Sequence, residues 1–213
     1  MFRDRHDAAL QLAQRLRKYK GQNPLVLGIP RGGVVVASIL AHELAGELDV
    51  ILTRKLRTPG NPELAMGSID ESGNVYLNAS VVNVLQITDE MIEEEKNQQA
   101  AIIHARAESY RRIRPKVPLE GRIAVLTDDG IATGSTMRAA IQVGKAAKPQ
   151  KLVVALPVGP PEQVAELKPE VDEMVCLYAP PDFMAVGQFY ESFGQLEDED
   201  VERILRDSMV GAP

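Results

Sequence analysis

The stretch RIAVLTDDGIATGST, residues 122–136, decides how the rest of the chain is read. Ile123 to Thr127 is an unbroken apolar run closed by a threonine, the pattern of a strand covered on both faces. It delivers two adjacent carboxylates, Asp128 and Asp129, to its end. Gly130, Ile131 and Ala132 make a short turn, and Thr133-Gly134-Ser135-Thr136 leads into a helix predicted over 135–147. Free N–H groups at a helix start, aided by the dipole, bind an anion. Gly134 lets a ligand approach the backbone closely, and Thr133, Ser135 and Thr136 add hydroxyl donors. The aspartates accept only, which suits sugar hydroxyls or the waters of a magnesium ion. No lysine follows the last glycine, so this is not a P-loop, and no G-x-G-x-x-G fingerprint occurs.

Working outward, apolar runs at 24–29, 48–53, 152–156 and 173–177 read as buried strands. Helical patterns over 7–18, 34–45 and 160–167 and an acidic one over 197–207 alternate with them. Alternation of this kind predicts an α/β fold on a parallel sheet. Ligands then bind beyond the carboxyl ends of the strands, which gathers the loops 30–33, 54–64, 128–136 and 157–161. Residues 54–64, RKLRTPGNPEL, carry two prolines, a glycine and three basic side chains, and predict a mobile loop. Short strands are expected at 65–69 and 74–77 around the turn Asp70-Glu71-Ser72-Gly73. Thr88 caps a long helix to about residue 112, with Asp89 and Glu90 in its first turn. Glu93 to Glu95 read as a solvated face, and Arg106, Arg111, Arg112 and Arg114 as complements to the C-terminal dipole.

The single cysteine, Cys176, excludes an internal disulfide or a cysteine zinc site, and its apolar neighbours predict a small buried hydrophobe. A net charge of −6 argues against an extended nucleic-acid surface. No apolar run approaches the length of a membrane span and no secretory leader is evident, so a cytoplasmic protein is expected. His6, His42 and His104 form no metal pattern.

Residues 124–136 resemble the PRPP-binding signature of the type I phosphoribosyltransferases: an apolar run, two acidic residues, then a turn ending in Thr-Gly-x-Thr. The resemblance implies a twisted, mainly parallel α/β sheet flanked by helices, with a small hood and an inserted long helix. One domain over 1–213 is expected, with its core at about 20–178, the insertion at 86–114 and the hood at 179–213. Asp128 and Asp129 would hold the ribose hydroxyls and, through water, Mg2+. Thr133, Gly134, Ser135 and Thr136 would hold the 5′-phosphate, with Gly130 and Ala132 among the other PRPP-binding residues. Gly28 to Gly33 looks like the family's pyrophosphate loop, with Arg31 and Gly32 as contacts and a cis peptide expected at Pro30–Arg31. Residues 54–66 resemble the flexible catalytic loop, in which Arg54, Lys55 and Arg57 would meet the pyrophosphate and Glu63 is the candidate acid–base group. Ala132 stands where enzymes for 6-oxopurines carry an aspartate, which argues against that substrate class. In the tail 181–191, Phe183 or Tyr190 would stack on an acceptor base, or else simply pack the hood.

The activity implied is transfer of a phosphoribosyl group from PRPP to a small nitrogenous acceptor, a nucleobase, with Mg2+ and release of pyrophosphate. A homodimer without nucleic-acid or membrane partners is expected, with helix 88–113 as a dimerisation arm or a lid. The rival reading is a non-catalytic PRPP or nucleotide sensor on the same fold.

Overall fold

The computed structural model describes residues 1–210, apart from the side chains of Pro62, Glu63 and Val210. Asp4 accepts a hydrogen bond from the Asp7 amide and so starts α1 (Arg5–Arg15). Next come β1 (Leu25–Gly28), α2 (Gly32–Glu43) and β2 (Glu47–Val50). The chain then leaves this layer through β3 (Thr53–Thr58), β4 (Asn61–Asp70) and β5 (Val75–Leu77). Asn78 caps a short α3 (Ala79–Val84), and Thr88 caps α4 (Asp89–Ile113) as its sequence predicts. The alternation resumes with β6 (Ile123–Thr127), α5 (Ser135–Ala146), β7 (Lys151–Val158), α6 (Pro161–Leu167) and β8 (Glu173–Tyr178), and α7 (Asp198–Val210) follows.

Two sheets result. The core sheet is parallel throughout, in the order β2-β1-β6-β7-β8. One face is covered by α1, α2 and α7 through Leu12, Val34, Leu40, Val201 and Leu205. On the other face, α5 packs through Met137 and Ile141 against Leu27, Leu126 and Leu156. Register pairs Gly28 with both Val50 and Thr127, and Thr127 with Ala155. The turns after β1, β2, β6 and β7 therefore leave one common edge.

The segment 54–64 is not an open loop. β3 and β4 form an antiparallel hairpin across a Pro59-Gly60 turn, with register shifts around Arg57, in a second sheet ordered β3-β4-β5. Leu56, Met66 and Ile69 are buried within it, and α4 fastens it from outside. Glu95 of α4 accepts from the Arg57 backbone N–H at 3.0 Å and from Arg57 Nε at 2.8 Å. Glu95 is thus no solvated group: its side chain is 12% exposed.

The basic end of α4 also does more than complement the dipole. Arg111 donates to Asp49 and to both oxygens of Glu71, while Arg114 pairs with Glu47. These pairs fasten α4 to β2 and to the β4–β5 turn. The helix lies on its own chain, against β3, β4 and α7.

Candidate active site

At the end of β6, Thr127 Oγ1 donates to the Ala155 carbonyl at 2.7 Å and holds the strand edge square. The chain turns at once. The Asp129 amide donates to Asp128 Oδ1 at 2.8 Å, which sets the two carboxylates side by side. Burial, and then the Asp129 carboxylate next to it, push Asp128 well above the usual carboxylate range. Gly32 and Gly33 explain how α2 begins so close. A methyl group at Gly32 would lie 1.9 Å from Asp129 Oδ2, and one at Gly33 would lie 2.8 Å from the Asp128 Cα. These glycines make room for the aspartate turn rather than for helix–strand packing alone.

Beyond the turn, Ala132, Thr133 and Thr136 are exposed and Ser135 is half-buried. Gly134 takes a left-handed conformation, φ 70°, as the N-cap of α5, and no side chain caps the helix. Thr133 Oγ1 and Ser135 Oγ lie 3.0 Å apart at this start. The predicted cradle is thus a solvent-facing helix N-terminus with hydroxyls around it, the arrangement that receives a phosphate.

The Pro30–Arg31 peptide is cis, as expected. Arg31 Nη1 donates to Glu197 Oε2 at 2.8 Å, which joins this turn to the residue before α7. Between Pro30, Thr136, the start of β3 and α4 lies a cavity of about 250 Å³. Arg54, Lys55 and Arg106 line it and Ile103 closes it. Arg54 Nε donates at 2.7 Å to Gln99, which is 2% exposed. Burial, followed by the charges of Arg106 and Arg57, makes Arg54 easier to deprotonate than usual, the mark of a guanidinium among cations.

Arg57 does not line this cavity; Glu95 and Gln98 hold it. The Glu63 side chain lies outside the described residues. The sequence reading took Arg106 only as a complement to the helix dipole and did not single out Gln99. Their only signal is that 99, 103 and 106 share one helical face.

The tail folds back over the aspartate turn. Tyr190 is buried, its ring 5.4 Å from Phe2 and 4.9 Å from Phe193. Its hydroxyl donates to the Asp129 carbonyl at 2.6 Å, and burial together with the nearby Asp129 charge keeps that hydroxyl protonated. Tyr190 therefore fastens the turn and has no free face for a base. Phe183 is half-buried and stacks on Phe189 at 5.3 Å, so it too packs the hood. Cys176 is an inert thiol, pushed up to about 11 by burial. Among the described residues no group of three His, Cys, Asp or Glu side chains makes a metal cage, and no helix is long and apolar enough to cross a membrane.

A parallel sheet with paired carboxylates and an uncapped helix start at its carboxyl edge defines the class: an open α/β protein whose site lies beyond the strand ends. Residues 6–190 match the family description of the phosphoribosyl transferase domain, and the chain belongs to that family. Its fold is similar to the crystal structure of TT1426 from Thermus thermophilus, with 47% identity, a TM-score of 0.91, and cover of 97% of this chain and 98% of that one. Proteins of Mycobacterium tuberculosis strains H37Rv and CDC 1551, provisionally named phosphoribosyl transferases, are each 46% identical over 205 residues. That match takes in 96% of this chain and 46% of the relative, so the chain spans about half the length of the curated relatives it matches.

Proposed function

We propose that the chain transfers the phosphoribosyl group of PRPP to a nitrogen of a small acceptor, a nucleobase, and releases pyrophosphate. The observation that carries this reading is the juxtaposition of three features at one edge. They are the Asp128–Asp129 pair, the open cradle at Thr133–Thr136, and the cationic cavity of Arg54, Lys55 and Arg106. Ribose hydroxyls suit the first, a 5′-phosphate the second and a pyrophosphate the third.

In the reaction the C1–O bond to pyrophosphate breaks and the C1–N bond forms. Pyrophosphate leaves with the electron pair, and the proton of the acceptor nitrogen passes to the departing pyrophosphate or to water. The protein's contribution is to fix the sugar and to offset charge on the leaving group. Arg31 and Gly32 at the cis turn, with Lys55 and Arg54, are the groups for that second task. Two adjacent carboxylates with no third ligand among the described residues fit a magnesium ion that arrives with phosphates and keeps its waters, held through them by Asp128 and Asp129. Such an ion would offset charge gathering on the departing pyrophosphate. Ala132 offers no carboxyl to a ring nitrogen, so hypoxanthine and guanine are expected to be poor acceptors.

The test is pyrophosphate release by the purified chain with PRPP, Mg2+ and a panel of nucleobases. Release that depends on one class of base is the expected result. Tight PRPP binding with no release for any base would replace this reading with that of a sensor.

A further inference from the structure

Arg5 occupies the first position of α1, where a cation is opposed by the positive end of the helix dipole. What holds it there is Asp129. Arg5 Nε donates to Asp129 Oδ2 at 2.7 Å across 124 residues of sequence, and the two side chains are only 12% and 14% exposed. The same guanidinium donates through Nη1 to the Gly194 carbonyl at 2.9 Å and lies 3.9 Å over the Phe193 ring. It is thus fixed on three sides. Gly32 is part of the arrangement, because a methyl group there would approach Arg5 Nε to 3.2 Å as well as striking the carboxylate.

The backbone around Arg5 is anchored too. Phe2 pairs in parallel with Tyr190, and the Ser192 amide donates to the Arg3 carbonyl at 2.9 Å. Tyr190 in turn grips the Asp129 carbonyl. The residues before α1 and the 189–194 segment therefore form one bracket around Asp129, closed by its carboxylate at one point and its carbonyl at another.

We propose that Arg5 is a positioning residue of the sugar-binding site, which acts through Asp129. Two adjacent carboxylates repel each other, and Arg5 gives Asp129 its counter-charge. Arg5 holds Asp129 through Oδ2, so Oδ1 is the oxygen that meets a ribose hydroxyl. This inference rests on the proposed PRPP reading. A plain fastener of α1 to the sheet edge would affect stability but not the affinity of Asp129 for its ligand.

The experiment is a double-mutant cycle on PRPP binding with Mg2+, read by calorimetry, together with kcat and KM. The proteins are the intact chain, Arg5→Gln, Arg5→Lys, Asp129→Asn and the Arg5→Gln/Asp129→Asn pair. Loss of the partner that orients a metal ligand typically weakens binding about 10–100-fold, and a loss within that range is expected in PRPP affinity and KM for Arg5→Gln, with kcat less affected. Arg5→Lys should recover part of it. On the Asp129→Asn background, Arg5→Gln should add less than about twofold, because neighbours that act as a unit are not additive. PRPP affinity unchanged in Arg5→Gln, or penalties that multiply in full, would overturn the inference.

If Arg5→Gln does not fold, Phe193→Leu removes the ring beneath the guanidinium and so loosens its grip on Asp129 Oδ2. A severalfold loss of PRPP affinity is then expected, and unchanged affinity counts against the inference. An intact chain that binds no PRPP at all removes the proposed function itself, and this inference with it.

Discussion

Asp128 is held in a state that costs the empty protein stability. Its folded-state titration lies well above that of an exposed aspartate, first through burial and then through Asp129. For an acid raised in this way, the folded protein disfavours the charged form. The penalty is absent below the ordinary value of 3.8 and grows as pH rises above it. Asp128→Asn should therefore raise the melting temperature of the ligand-free chain at pH 7 while PRPP binding is lost. A gain of 1 kcal/mol would appear as about 2–4 °C in scanning calorimetry, and the gain should shrink toward pH 4. Equal melting temperatures for the two proteins at pH 7 would sink the idea. The aspartate pair was legible because both residues are adjacent and follow an apolar strand. Arg5 was not, since its partner lies 124 residues away and nothing local marks it. Tyr190 was legible as an aromatic near the site, but its task depends on Phe2 and Phe193, which no local pattern brings together.

At the scale of elements, the strands and helices of the core sheet follow from apolar runs and periodicity, and β6 and β8 appear close to where the pattern places them. Of the β3–β4 hairpin, the pattern gives only residues 65–69 of β4. Prolines and basic residues give its first strand the composition of a loop, and Glu95 and Gln99 on α4 fasten it. Gln99 is the hinge pin of that contact: it accepts from Arg54 and donates to Glu95 at 2.9 Å. Gln99→Leu keeps the volume and removes both bonds. It should cost about 1–3 kcal/mol, the usual penalty for a polar group left without its partner, measured by urea denaturation. KM for PRPP should rise as well, because Arg54 loses its aim into the cavity. A variant with normal stability and normal KM would show that the hairpin orders itself.

For the whole molecule, charge networks set the acid limit. Lys18 and Lys151 converge on Glu173, with the Tyr19 hydroxyl donating at 2.6 Å. Glu47 bridges Arg114 and Arg122. In both, burial works against ionisation but the hydrogen bonds outweigh it, and the carboxyl titrates below its ordinary 4.5. An acid lowered in this way stabilises the fold above 4.5, and the contribution is lost as pH falls through the folded value. Stability should therefore drop as pH falls below about 4.5, partly offset by Asp128, whose sign is opposite. Urea melts at stepped pH should show a smaller acid loss in Glu173→Gln than in the parent chain, and parallel curves would rule the network out as a cause.

The bracket around Asp129 has a consequence for synthesis. A ribosome releases β6 and its aspartates long before residue 190 exists, yet Tyr190 and Phe193 are what close the turn and seat Arg5. The sheet can assemble while the chain is still growing, but the ligand pocket is completed last. Fragments that stop short of residue 193 would lack both the residues that close the aspartate turn and α7, whose Val201 and Leu205 cover the sheet.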